Sequence, residues 1–342
     1  MRATIYDVAK KAGVGIGTVS RAINESPRIT SETKEKVLKA IRDLNYQPHA
    51  MAQSLARKKT NMIAAIVPFI RGYFYLELVK GIQFEATKSN YDLLLYSVDE
   101  FDKTEEFLKK TLRERRVDGV LLISLQISDI KVKKFRHSNV PIVLVDGYHP
   151  QLDSITVENQ EGAYLATGHL IRQGHKKIAM IDAQLKSVPA KERLHGYKQA
   201  LKEARIPFED KYLFISNLAI EKDGFNREAG YEGMKRLLEL GEERPTAVFV
   251  SSDIQAAGAI KAIKEKGLGI PEDVAIVGFD DIELAEYLEL STMHQPLFEM
   301  GRLAVQRLLE RMANKSVEIL RKQFSTHIVI RSSCGASARR MA

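Results

Sequence analysis

Short apolar runs recur along most of this chain, and segments with helical periodicity separate them. Each run is bounded by polar, glycine or proline residues. We predict strands at 62–69, 92–98, 119–125, 141–146, 177–182, 212–216, 246–251 and 274–279. Helices are predicted between them at 75–89, 103–116, 161–173, 191–204, 226–240 and 254–266. Because continuously apolar strands that alternate with helices form parallel sheets covered on both faces, this part of the chain is predicted to be an α/β body with two doubly wound parallel-sheet lobes.

The positive charge of the chain is concentrated near its N-terminus. Residues 1–60 contain 12 Lys or Arg and 5 Asp or Glu, a net charge of +7, whereas all 342 residues together carry +8. A basic segment joined to a nearly neutral body is typical of a protein that binds a polyanion. The N-terminal segment lacks an apolar signal core, and no run of about 18 apolar residues occurs, so we expect a cytoplasmic protein with no membrane partner.

Residues 1–46 have the pattern of a small all-α helix-turn-helix head. In TIYDVAKKAGVGIGTVSRAIN, at residues 4–24, Thr4 and Asp7 are placed to form a capping box at the start of a first helix. Gly13 can adopt the left-handed conformation that ends this helix. A second helix is predicted to end near Asn24, and a third opens at Thr30 or Ser31.

The second helix of a helix-turn-helix enters the major groove of DNA, so its exposed residues are the candidate base readers. Arg21 can donate twice to a guanine, and Ile16 can contact a thymine methyl group. The expected base-facing residues are Ile16, Gly17, Ser20 and Arg21. Residues suited to phosphate contacts, which position the head without reading sequence, are Thr4, Tyr6, Thr18 and Asn24.

The head motif, followed by Tyr46-Gln47-Pro48 and by AMAQSL at 50–55, resembles the lactose/galactose repressor family of bacterial transcriptional regulators. Further matches along the chain are FYLELVKGI at 74–82, ERLHGY at 192–197, SSD at 251–253, IVGFDD at 276–281 and QP at 295–296. The chain differs at the start of the second helix, where many members have a capping serine in place of Gly15 and larger or polar residues in place of Ile16 and Gly17.

This resemblance implies a hinge helix and linker at 47–60 that contacts DNA as one of a pair. Leu55 matches the leucine that wedges between two base pairs in the minor groove, and such a wedge bends the duplex. His49 and Ala52 are the other hinge residues expected at DNA. The implied partners are a double-stranded DNA operator and a second copy of the chain, as a homodimer on a near-palindromic site.

The resemblance also implies that residues 61–342 form an effector-binding and dimerisation body resembling periplasmic sugar-binding proteins. The expected first lobe comprises about 61–160 and 292–323, and the second about 161–291 and 324–342. Independently, Asp146, Asp253 and Asp280 lie at or just past the ends of predicted strands, where ligands of open α/β sheets bind. By resemblance the cleft is lined by Phe74, Asp146, Arg193, Asp253 and Asp280, with Phe74 or Tyr75 stacking on a sugar ring.

The function predicted from these features is a sequence-specific repressor whose operator affinity is controlled by a small ligand, a sugar or sugar derivative. Arg71 near the cleft mouth would favour an anionic or phosphorylated ligand. A protein corepressor is an alternative input, but the retained polar cleft residues favour a small molecule. An enzyme is not expected, because phosphate-loop, nucleophile-elbow and H-E-x-x-H motifs are absent from the sequence, and no cofactor or metal is predicted.

Overall fold

The computed structural model describes residues 3–24, 26–46, 59–68, 73–98, 116–138, 140–216 and 224–336. The predicted hinge residues His49, Ala52 and Leu55, and Arg71, lie outside these ranges. Most of the predicted helix at 103–116 does so too. None of the helices in the described part is long and apolar enough to span a membrane.

The head contains three helices, α1 (Ile5–Ala12), α2 (Ile16–Ile23) and α3 (Ser31–Asp43). The predicted capping box is confirmed: the Thr4 hydroxyl accepts from the Asp7 N–H, and Asp7 Oδ2 accepts from the Thr4 N–H at 2.8 Å. Gly13 follows α1 with φ of 65°, in the left-handed region that favours glycine. These local signals set where α1 begins and ends.

One small apolar core holds the three helices of the head together. Val8, Val19 and Val37 contribute one fully buried side chain from each helix. Burying a valine stabilises a fold by about 1.5–3 kcal/mol, so three of them form the centre of a modest core. The opposite side of α2 is thereby left for solvent or a ligand.

The body contains two six-stranded sheets with equivalent strand orders. Sheet A has the order β11-β5-β4-β3-β1-β2, and sheet B the order β12-β10-β9-β8-β6-β7. The strands of sheet A are β1 (Met62–Val67), β2 (Asp92–Ser97), β3 (Gly119–Ile123), β4 (Ile142–Val145), β5 (Asp153–Val157) and β11 (Arg321–Phe324). Those of sheet B are β6 (Ile178–Asp182), β7 (Leu213–Ile215), β8 (Ala247–Val250), β9 (Ala275–Asp280), β10 (Ser291–His294) and β12 (His327–Val329).

Helices cover both sheets, which confirms the predicted doubly wound α/β class. They are α4 (Tyr73–Lys88), α5 (Asp129–Ser138), α6 (Asn159–Arg172), α7 (Val188–Glu203), α8 (Arg227–Leu238), α9 (Asp253–Glu265), α10 (Glu283–Tyr287) and α11 (Leu297–Ala313). Among the described residues, apolar side chains of strands and helices form a core against sheet A in the first lobe and two cores on opposite faces of sheet B in the second.

Eight predicted strands are present, but the structure adds β5, β10, β11 and β12. The prediction relied on continuous apolar runs and missed these four because they contain polar or charged residues. For example, β11 reads RKQF and its first three residues are exposed. Such charges are usual on an edge strand. One pair also departs from the parallel prediction, because β12 runs antiparallel to β10.

The chain passes between the two sheets more than once near its C-terminus. Strand β10 belongs to sheet B, although residues 292–323 were assigned to the first lobe from sequence. Strand β11 returns to sheet A, and β12 to sheet B. The lobe boundaries therefore stay a prediction. By sheet membership, residues 292–294 of β10 go with the second lobe.

Candidate DNA-reading face and effector cleft

Helix α2 presents the predicted base readers on the side opposite its buried residues Val19 and Ala22. Ile16 is 40% exposed, and Gly17 and Arg21 are exposed as well. A Cβ placed on Gly17 would lie 3.7 Å from an Arg21 guanidinium nitrogen, so the arginine runs along the helix surface over the glycine. The absence of a side chain at Gly17 therefore leaves this guanidinium accessible.

Two further predicted contact residues are linked to each other. The Asn24 side-chain amide donates to the Ser20 hydroxyl at 3.4 Å, and Ser20 is half-buried. Thr4 and Tyr6 are exposed at the start of α1, whereas Thr18 is half-buried. The structure thus brings the base-reading set together on one helix, and the DNA roles of these residues stay predictions.

In the body, residues that follow strands of the two sheets come close together, and we refer to this region as the cleft. Gln126, which follows β3, donates its side-chain amide to the backbone oxygen of Lys186, which follows β6, at 2.9 Å. Asp146 at the end of β4 lies close enough to Asp280 at the end of β9 to raise the pKa of Asp280. Residues from both lobes are therefore within reach of one ligand.

Asp146 is the first-lobe carboxylate of this cleft. It has φ of 53° and follows β4 directly, which turns the chain away from the sheet. The Ser124 hydroxyl, at the end of the neighbouring strand β3, donates to Asp146 Oδ2 at 2.6 Å. This hydrogen bond orients the carboxylate at the strand ends. Phe74 and Tyr75 lie at the start of α4 in the same lobe, half-buried and edge-to-face with ring centroids 5.2 Å apart.

Arg193 on α7 is the main cation of the second-lobe side and is 3% exposed. Its Nε donates to Asn159 Oδ1 at 2.9 Å, and its Nη1 donates to the backbone oxygen of Ser251. The guanidinium lies 3.7 Å from the centre of the Phe279 ring. Nη1 is also 3.9 Å from Asp280 Oδ1. These contacts hold the guanidinium in one place at the ends of β8 and β9.

Asp280 accepts a hydrogen bond of 2.6 Å from the Gln295 side chain. Burial raises the pKa of Asp280 to about 7, Arg193 lowers it, and Asp146 across the cleft raises it. Near neutral pH this carboxyl group is thus divided between its charged and neutral forms. A ligand that interacts better with one form will shift the ionisation of Asp280 toward that form.

Asp253, by contrast, is engaged entirely inside the second lobe. Its two oxygens accept from the Thr292 hydroxyl at 2.6 Å and from the Ile282 N–H at 3.1 Å. A Cβ on Gly278 would lie 2.3 Å from Asp253 Oδ1, so the carboxylate fits against bare backbone. Its burial, followed by the charge of Asp280, raises its pKa well above the usual range. Asp253 supports the loop after Asp280, and its predicted ligand contact stays untested.

Sequence reasoning missed Asp182, Asn159 and Phe225. Asp182 ends β6 and is fully buried, and it carries the signal that selected Asp146 and Asp280, an acidic residue closing an apolar run. The Phe225 ring centre lies 5.7 Å from the Arg193 guanidinium. No sequence pattern marked Asn159 or Phe225, because their place beside Arg193 depends on tertiary packing. Among the described residues, no three His, Cys, Asp or Glu side chains are grouped to hold a metal ion.

A helix-turn-helix joined to a body whose strand ends face a ligand cleft defines a class of DNA-binding transcription regulators. Comparison with known proteins identifies the family. Residues 4–49 match the model of the lacI family of bacterial regulatory proteins, and residues 167–334 match that of the periplasmic binding protein-like domain.

Similar proteins extend the match to the whole chain. The HTH-type transcriptional repressor PurR of Mannheimia succiniciproducens is 38% identical over 339 residues, covering 97% of this chain and 98% of that protein. The lac repressor dimer bound to operator and the anti-inducer ONPF superposes with a TM-score of 0.82 at 27% identity, covering 98% and 99% of the two chains. A complex of the transcriptional regulator CelR with cellobiose gives a TM-score of 0.72 at 30% identity, covering 97% and 100%.

The chain therefore belongs to the lacI family of bacterial regulatory proteins, which confirms the family expected from its head motif. Its relatives are DNA-binding transcriptional repressors, which are regulators and not enzymes.

Proposed function

We propose that this protein is a sequence-specific transcriptional repressor that binds its operator as a homodimer. In this proposal, a small ligand between the two lobes, a sugar or sugar derivative, controls operator affinity. The main support for this proposal is that Asp146, which follows a strand of sheet A, lies near Asp280, which ends a strand of sheet B. Arg193 lies beside Asp280. A ligand that binds both sides favours one relative orientation of the lobes.

Support for DNA reading comes from the exposed side of α2. Arg21 is free of the head core and has the fork of donors that recognises guanine O6 and N7. A single head offers few such readers, so two heads on a near-palindromic site double the specific contact. The lac repressor, which is a dimer on its operator, is a precedent for this arrangement.

Support for a small ligand comes from the polar groups at the strand ends. Carboxylates and an arginine offer paired acceptors and donors to sugar hydroxyls, and Phe74, Tyr75 and Phe225 provide aromatic rings. CelR with cellobiose is a relative of the same fold whose structure contains a sugar. A protein corepressor would not need this set of buried polar groups.

Operator selection from random duplex DNA followed by affinity measurement tests the DNA-binding role. Arg21→Ala should weaken binding to the selected site by about 1–3 kcal/mol per half-site and relax the preference at one guanine. Arg42→Ala is the matched control, because Arg42 is an exposed arginine on α3, outside the reading face. Selection of no common sequence, or equal losses in the two variants, would refute base reading by α2.

A further inference from the structure

The second-lobe side of the cleft contains more buried carboxyl groups than cations among the described residues. Asp182 at the end of β6 is 0% exposed, and Asp280 at the end of β9 is 5% exposed. Arg193 is the cation that lowers the pKa of both groups. Buried charges are usually paired with opposite charges. Two buried carboxyl groups beside one arginine therefore leave one carboxyl group without a matching positive charge.

Arg193 carries one positive charge, so it cannot balance two carboxylates, and two of its donors are directed to other groups. Nε binds Asn159, Nη1 binds the backbone oxygen of Ser251, and the planar group lies over Phe279. Its nearest approach to Asp280 is 3.9 Å, which is an ion pair at the limit of contact. The arginine therefore fixes the shape of the site but leaves negative charge uncompensated.

Asp182 provides a second, independent observation. Its Oδ1 accepts from the Ala183 N–H at 2.8 Å, but its Oδ2 is fully buried and receives no hydrogen bond from any described residue. The Ser251 hydroxyl lies close enough to Asp182 to lower its pKa, but its single proton is donated to Gln255 Oε1 at 3.1 Å and is therefore not shared with Oδ2. Buried polar atoms without a partner are uncommon in native structures, so Oδ2 requires a donor from outside the described protein atoms.

The ionisation of these acids is consistent with a missing cation. Burial raises the pKa of Asp182 to about 7, against the lowering effects of Ser251, the Ala183 N–H and Arg193. The pKa of Asp280 is likewise raised to about 7, by burial first and also by Asp146. The other buried acid nearby, Asp253, has both oxygens bound inside the lobe. A cation in the site would return Asp182 and Asp280 to their charged forms.

We propose that the effector carries a protonated amino group, which donates to Asp182 Oδ2 and lies beside Asp280. This inference rests on the proposed function, because it specifies the ligand of the same cleft. It differs from the expectation drawn from Arg71 of an anionic or phosphorylated ligand. An ammonium group supplies both the missing hydrogen-bond donor and the missing positive charge, which a neutral hydroxyl does not.

Calorimetric titration of the full-length protein tests this inference with matched ligands. The panel contains D-glucosamine and D-galactosamine, the parent sugars D-glucose and D-galactose, and the phosphate esters of the two parents. At least one amino sugar should bind about tenfold or more tightly than its parent, the effect expected of one charge-assisted hydrogen bond. Asp182→Asn should remove that preference, whereas Asp210→Asn, at an exposed carboxylate of the same lobe, should keep it.

A pH series with the unmodified protein gives the same test without a variant. Between about pH 7 and about pH 5.5 a primary ammonium group keeps its proton while Asp182 and Asp280 gain theirs. Amino-sugar affinity should therefore fall several-fold over this range, and parent-sugar affinity should stay level.

The outcomes separate the two proposals. Equal or tighter binding of parent sugars or phosphate esters, insensitive to Asp182→Asn, would overturn the amine while retaining a small-molecule cleft. Failure of both amino sugars to bind overturns the amine inference as well. If no ligand of the panel binds the protein, and no sugar-like ligand binds in a wider screen, the proposed effector function would also be refuted.

Discussion

Each lobe buries acidic groups beside arginine, but in different proportions. In the first lobe, Asp153 at the start of β5 meets two arginines of α11, Arg307 and Arg311, at 2.9 and 2.6 Å. It also accepts the Leu320 N–H at 2.6 Å, which fastens the segment leading into β11. In the second lobe, Asp182 and Asp280 share one arginine.

The pKa values of these acids move in opposite directions. Burial acts to raise the pKa of Asp153, but hydrogen bonds from Arg311, the Leu320 N–H and Arg307 outweigh it and hold the pKa below its usual range. For Asp182 burial prevails and raises the pKa to about 7. A fully paired acid at a strand start serves the fold, whereas the under-paired acids at strand ends are the groups proposed to contact a ligand.

The largest expected effect comes from breaking the first-lobe cluster. Asp153→Asn leaves Arg307 and Arg311 buried without their carboxylate, and loss of one partner from a buried ion cluster costs about 3–5 kcal/mol. Denaturant unfolding at neutral pH should show this loss of stability. Asp273→Asn, which removes a half-exposed pair with Arg244, should cost at most about 1 kcal/mol. Comparable losses in the two variants would mean that the cluster does not hold β11.

The same cluster predicts a dependence on acid. Because the pKa of Asp153 is lowered on folding, its contribution is complete above the unfolded value of about 3.9 and is lost as the pH falls through the lower folded value. The stability difference between the wild type and Asp153→Asn should therefore shrink only at strongly acidic pH. A difference that already disappears at about pH 6 would contradict the pairing.

Removal of the second-lobe cation should act mainly on the ligand. Arg193→Ala should weaken effector binding by about 2–5 kcal/mol, the loss typical of a buried charged partner, and abolish the effector response of operator binding. Affinity of the ligand-free protein for operator should change little, because Arg193 lies in the body. Lys198→Ala, on the same helix with its ammonium 4.2 Å from the Phe208 ring centre, is the control and should leave the response intact. A retained response in Arg193→Ala would place the ligand elsewhere.

The smallest of the three effects has the opposite sign. With a folded pKa of about 7, Asp182 contributes stability below its unfolded pKa of about 3.9 that is lost as the pH rises through about 7. Asp182→Asn should therefore make the ligand-free protein more stable at about pH 8, with no gain near pH 4. Thermal unfolding at both pH values measures it. Equal stability of the two proteins at pH 8 would show that Asp182 already has a partner.

The predictability of each region follows from the range of the interactions that form it. The head could be predicted closely because its signals are local: Thr4, Asp7 and Gly13 fix α1 within a few residues. Eight strands were also predictable from their apolar runs. Strand β11 was not, because its place beside β5 depends on pairing of Arg307 and Arg311 with Asp153, which lies more than 150 residues earlier in the chain.

The cleft was predictable only in part for the same reason. Acidic residues that end strands pointed to Asp146 and Asp280, and the same signal was present but unused at Asp182. The sequence could not distinguish Asp253, which is bound to Thr292 and Ile282, from the acids that lie beside Arg193. That distinction depends on which side chains meet after β10 joins β9.

In the proposed function, ligand and operator act on one equilibrium between lobe orientations. Calorimetric titration of the effector, without and with saturating operator DNA, tests it most directly. Because coupling between two sites is reciprocal, operator should change effector affinity by the factor that effector changes operator affinity, about 5–150-fold. Equal effector affinities in the two titrations would contradict the account and require another input to the head.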